Sequence, residues 1–140
     1  MTTKSLTLAL AMALGILISG LAGPAAAFGG KSFPACDAPQ VLSFIKHRFV
    51  WTDRKLLKRG LEIDRIERAH LNRTRSGSQY WSIPRQYCHG TAHMNDGRKR
   101  QIWWLIEGGQ GFAGIGDNLE FCISGLDPLR VHGAWCRSVR

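Results

Sequence analysis

Residues 85–107 read RQYCHGTAHMNDGRKRQIWWLIE. Two strand-type runs, Arg85–Met94 and Arg98–Glu107, flank Asn95-Asp96-Gly97. Asp-Gly between such runs is a strong hairpin signal, because these residues accept the positive backbone angles of a tight turn. With Asp96-Gly97 as a two-residue loop, Asn95 faces Arg98, Cys88 faces Leu105, His89 faces Trp104 and Gly90 faces Trp103. One sheet face then carries Cys88, Gly90, Ala92, Trp103 and Leu105, and the other carries Tyr87, His89, Thr91, Ile102, Trp104 and Ile106. A loop one residue longer shifts this pairing and reassigns the faces. Both faces are apolar and one helix covers only one of them, so Trp103 and Trp104 are both expected in contact rather than in water.

Outward from the hairpin, Gly108–Gly116 is a glycine-rich connection, and Asn118–Ser124 alternates Leu119, Phe121 and Ile123 with Glu120, Cys122 and Ser124 as a further strand. Gly125-Leu126-Asp127-Pro128 turns the chain into a short tail. On the other side, Asp37, Pro39 and Gln40 read as a helix start with a capping box. Val41, Leu42, Ile45, Phe49 and Leu56 recur near the helical period, and the helix is predicted to end before Gly60, with Lys55, Lys58 and Arg59 in its last turn. Leu61–Asn72 reads as a strand with one bulge, and residues 73–82 as a loop. The order predicts an α+β fold: an N-terminal helix packed on an antiparallel meander of about four strands, cystatin-like or NTF2-like by analogy.

The chain has 140 residues, enough for one domain, with 19 basic against 10 acidic residues and a net charge of +9. A hydrophobic content of 44% excludes a wholly disordered chain, and no repeat points to a solenoid or propeller. Lys4, the uncharged apolar run from Leu6 to Leu21 and Ala25-Ala26-Ala27 predict a signal peptide over 1–27, cleaved after Ala27, leaving one domain over 28–140 and no membrane span. Four cysteines in an exported chain read as two disulfides. No C-x-x-C pair supports zinc. Cys36 precedes the helix and Cys88 lies on the sheet face assigned to it, so Cys36–Cys88 and Cys122–Cys136 are the expected pairs. The rival is Cys36–Cys122 with Cys88–Cys136.

Tyr87-Cys88 with Ala92, Asp96-Gly97, Ile106-Glu107, Gly111-Phe112, Gly114, Gly116, Glu120-Phe121-Cys122, Gly125-Leu126-Asp127 and Cys136-Arg137 resembles a family of small exported proteins of alphaproteobacteria. The resemblance covers residues 36–140 and implies a bacterial source and a periplasmic address. It implies no activity, so no catalytic residue is carried over.

The remaining motifs have simpler readings. Residues 109–114 match G-x-G-x-x-G, but a strand rather than a helix follows, which leaves no amides for a pyrophosphate. His89 and His93 are about 13 Å apart on a strand, too far to share an ion. Ser124, Asp127 and His132 lack a nucleophile elbow. No catalytic residue, cofactor or metal is therefore predicted. Basic residues concentrate at Arg54, Lys55, Lys58 and Arg59 and again at Arg98, Lys99 and Arg100. They mark a candidate surface for an anionic envelope component, with a protein partner also open and nucleic acid disfavoured by the compartment. The alternative is a solvated basic face. The expected function is a non-enzymatic cell-envelope protein. The competing reading is a small enzyme on the concave sheet face using Tyr87, His89 and Glu107.

Overall fold

The computed structural model describes residues 33–77, 79–80, 83–112 and 115–140. The predicted signal peptide lies outside the described residues. Helix α1 spans Pro39–Thr52 and continues as a π-helical turn over Asp53–Leu57, closed at Lys58 in the left-handed region. The sheet has the order β1 (Ile63–Arg75), β2 (Arg85–Met94), β3 (Lys99–Glu107) and β4 (Asn118–Ile123), every neighbouring pair antiparallel. The tail ends in a 3₁₀ segment, Ala134–Val139. The fold is thus α+β, one helix on a four-stranded meander.

Val41, Ile45 and Phe49, four residues apart, form the buried stripe of α1. They pack on Cys88, Ala92 and Met94 of β2, Ile102, Trp104 and Ile106 of β3, Ile123 of β4 and Ile63 of β1. The opposite sheet face is covered by the tail: Tyr87, Leu105 and Cys122 meet Cys136 and Val139, with Trp103 packed against them. Both disulfides form as expected. Cys36–Cys88 pins the start of α1 to the sheet with Cα atoms 5.8 Å apart, and Cys122–Cys136 pins the tail to β4 at 5.6 Å.

Four local expectations are corrected. The hairpin register is offset by one: Cys88 faces Trp104, His89 faces Trp103 and Gly90 faces Ile102. The loop has three residues, Asn95-Asp96-Gly97, with Met94 N–H donating to Arg98 O at 3.0 Å and only Gly97 at positive φ (77°). Asn95 explains the choice. Its amide donates to Gly60 O at 2.9 Å and its side-chain oxygen accepts from Glu62 N–H at 3.0 Å, which ties the turn to the entry of β1. The helix face therefore carries Trp104, Ile102 and Ile106 beside Cys88 and Ala92, while Trp103 and Leu105 join Tyr87 and His89 on the other face.

The capping box does not form either. Ala38 occupies the N-cap, because a residue before proline is pushed to extended backbone (ψ 131°) and Asp37 falls one position too early. Leu56 leaves the buried stripe, since the wider π turn brings Asp53 inside and leaves Leu56 68% exposed. β1 runs on to Arg75 and has three irregularities instead of one, with Arg68 left-handed at the middle one (φ 53°).

Both tryptophans of β3 are in contact. Trp104 is fully buried under α1. Trp103 stacks on His89 with ring centroids 3.9 Å apart, under the Arg140 guanidinium at 4.8 Å.

Candidate functional site

The fold brings the two basic clusters to one end of the molecule. The π turn and Gly60 meet the β2–β3 turn through Asn95, and Arg59 reaches Leu126 O at 3.4 Å beyond β4. Several of these cations serve the structure. Arg59 Nε donates to Asp53 Oδ1 at 2.8 Å, while Asp53 Oδ2 accepts from the amides of Arg59 at 3.0 Å and Leu61 at 3.1 Å. Arg100 is largely buried beside Asp96 at 3.6 Å. Arg54 pairs with Glu62 at 2.7 Å, and Arg98 approaches Asp96 at 4.0 Å. Lys55, Lys58 and Lys99 make no ion pair among the described residues and project as free positive charge.

Asp53 is fully buried. Burial raises a carboxyl pKa, but the Arg59 side-chain hydrogen bond, then the Leu61 amide and the Arg59 charge, outweigh it and hold Asp53 below its ordinary 3.8. A carboxylate depressed in this way adds stability that is complete above the unfolded value and is lost as pH falls through the folded one. Asp53→Asn is expected to cost about 2–3 kcal/mol at pH 7, by leaving Arg59 without its counter-charge. In urea melts this deficit should narrow as pH falls below about 4, when the parent carboxylate protonates as well. A deficit that stays constant down to pH 2 contradicts the assignment.

The outer face of α1 adds what the sequence reading passed over. Phe44 is 46% and Trp51 51% exposed, and Arg48 lies over the Trp51 ring at 5.4 Å. With His47, Val50, Arg54 and Lys55 they line an open groove of about 640 Å³. The signal was present in the sequence: Phe44 and Trp51 stand seven apart and off the Val41–Ile45–Phe49 stripe, which leaves them no place in the core.

Of the residues of the enzyme reading, Tyr87 and Glu107 lie on one sheet face and both hydrogen-bond the Arg85 guanidinium between them. Tyr87 is buried under the Arg73 guanidinium at 4.0 Å, and Glu107 is paired with Arg85 at 2.7 Å. The tail covers this face over Tyr87 and Leu105, and α1 fills the other face of the sheet. Ser124, Asp127 and His132 do not form a triad: the Asp127 carboxylate accepts from the amides of Val131 at 3.0 Å and His132 at 2.9 Å, and the His132 ring faces Ser138 at 3.3 Å. In the glycine loop, Gly111 N–H donates to Gly116 O at 3.0 Å, and β4 follows.

His89 and His93 are separated along β2 as expected, and each finds a cross-strand partner. His93 Nε2 lies 2.7 Å from Glu67 Oε2. The Arg65 hydrogen bond at 2.6 Å, and after it that imidazole, hold Glu67 below its ordinary value. His89 meets His70 of β1 and Gln101 of β3. Burial lowers the His89 pKa, and the neighbouring His70, Arg140 and Arg68 add to that, against the Gln101 hydrogen bond.

Two disulfides suit an oxidising, exported compartment. Among the described residues no helix is long and apolar enough to cross a membrane, and no group of three or more His, Cys, Asp or Glu could hold a metal ion. No protein-family model matches the chain, and neither a curated protein nor a solved structure does.

Proposed function

We propose that this chain is a non-enzymatic periplasmic protein, akin to the small exported alphaproteobacterial proteins it resembles, that binds an anionic lipid surface through the outer face of α1. The observation that carries the reading is the interleaving of half-exposed Phe44 and Trp51 with Arg48, Arg54 and Lys55 on one face of the helix. Aromatic rings with an apolar body settle at the level of lipid headgroups, and the cations beside them meet the headgroup phosphates. Lys58, Arg98 and Lys99 extend the positive field at the adjoining end of the domain. The periplasm is the oxidising compartment to which a cleaved signal peptide over 1–27 delivers a chain.

Each Lys or Arg near an anionic bilayer is worth about 1 kcal/mol. Arg48→Gln combined with Lys55→Gln is therefore expected to weaken binding to acidic-phospholipid vesicles by roughly 30-fold, read by vesicle flotation. Zwitterionic vesicles should bind far more weakly, and rising salt should reduce the anionic binding. Equal binding to both vesicle types, or no effect of the double substitution, contradicts the proposal.

A further inference from the structure

His70 and His89 face each other across β1 and β2, brought into register by the bulge between Glu67 and His70. His70 Nδ1 lies 2.7 Å from Arg68 O, which can only accept, so the ring proton sits on Nδ1 and Nε2 carries the lone pair. His89 Nε2 is hydrogen-bonded to the Gln101 side-chain oxygen, which places the proton on Nε2 and the lone pair on Nδ1. The two facing nitrogens, His70 Nε2 and His89 Nδ1, are 3.4 Å apart. In this pair of tautomers the two nitrogens present lone pairs to each other, and a proton gained by either ring makes the contact an N–H···N hydrogen bond. Each ring's other nitrogen is also held by an oxygen acceptor, the arrangement that orients metal-ligating histidines.

We propose that His70 and His89 form a two-imidazole site for a divalent transition-metal ion, zinc by its geometry. With metal–nitrogen bonds of about 2.05 Å, a 3.4 Å separation corresponds to an angle of roughly 110° at the metal, near the tetrahedral value. A square-planar ion with its two nitrogens at right angles needs them closer, at about 2.9 Å. The protein supplies two ligands, and the other two positions are open to water or an external donor. Stacking on Trp103 fixes the His89 ring, so little side-chain freedom is lost on binding. The nearby Arg68 and Arg140 charges oppose a dication, which sets a modest affinity.

The chain has five histidines, which provides an internal control. Titrating the oxidised protein with zinc chloride should shift the ring resonances of His70 and His89 together, saturating at one ion per chain, while those of His47, His93 and His132 stay in place. His70→Gln, at an exposed position, should leave the fold intact and weaken binding by at least about tenfold, because one imidazole remains. His132→Gln should leave the zinc affinity unchanged. No shift at His70 and His89 up to millimolar zinc, or shifts spread evenly over all five rings, overturns the site. A wild-type affinity retained in His70→Gln does the same.

Discussion

Replacing Trp104 with alanine is expected to lower the free energy of unfolding by about 3–5 kcal/mol, a large part of what a domain of this size possesses. Trp104 is fully buried under α1, and the sheet is shaped around it. Gly90, on the neighbouring strand, leaves room for the indole: a Cβ there would come within 3.3 Å of the far edge of the ring and 3.1 Å of Glu67 O. Removing the ring leaves a void that α1, fixed at its start by Cys36–Cys88, cannot fully close. Trp51→Ala makes the contrast, since that ring is half exposed and its loss should change stability by no more than about 0.5 kcal/mol. Urea melts followed by far-ultraviolet circular dichroism compare the two without depending on tryptophan emission. A Trp104→Ala cost below about 1 kcal/mol contradicts this placement of the core.

Removing the Cys36–Cys88 bond by substituting both cysteines with serine is expected to cost about 4 kcal/mol. The estimate follows from a cross-link between residues 52 apart in sequence, on the chain-entropy view of disulfide stabilisation. The same treatment of Cys122–Cys136, separated by 14, gives about 3 kcal/mol. The two losses should also differ in kind. Without Cys36–Cys88 the start of α1 is released from the sheet, and backbone amides early in the helix should exchange faster with solvent. Without Cys122–Cys136 the tail lifts from the second face and Trp103 becomes more exposed to quenchers. The same pattern from both variants contradicts the assignment of one bond to each layer.

Local patterns decided the parts of the fold that were legible in advance. The Asp-Gly turn, the alternation of Leu119, Phe121 and Ile123, and the Val41–Ile45–Phe49 spacing each identify an element without knowledge of the rest. The disulfides followed because Cys88 lies on the helix-facing side of β2 in either register. The register itself was not legible, since Asp96-Gly97 serves a two-residue or a three-residue loop equally well. The deciding contacts run from Asn95 to Gly60 and Glu62, more than thirty residues away. Leu56 was misplaced for a similar reason. A π turn has no signature in hydrophobic spacing, and this one is held by Asp53, whose partners Arg59 and Leu61 lie beyond the helix.

The candidate surface was legible as charge but not as shape. Arg54, Lys55, Lys58, Arg98, Lys99 and Arg100 were visible as two clusters. Their meeting at one end depends on the turn-to-turn contact through Asn95, and the use of Arg59 and Arg100 inside the structure depends on where Asp53 and Asp96 fall. The pairing of His70 with His89 required the bulged register of β1, which no periodicity reveals.

The central claim is that α1 has two working faces, an inner one that holds the sheet and an outer one that meets anionic lipid. The most direct measurement adds a lipid with a spin-labelled headgroup to acidic bicelles and maps, residue by residue, which resonances it broadens. The account predicts the strongest broadening at Phe44, Arg48, Trp51 and Lys55, with His89 and Trp103 on the far side of the sheet spared. Broadening centred instead on the exposed tail residues Leu129, Val131 and Trp135, or no broadening anywhere, would contradict it.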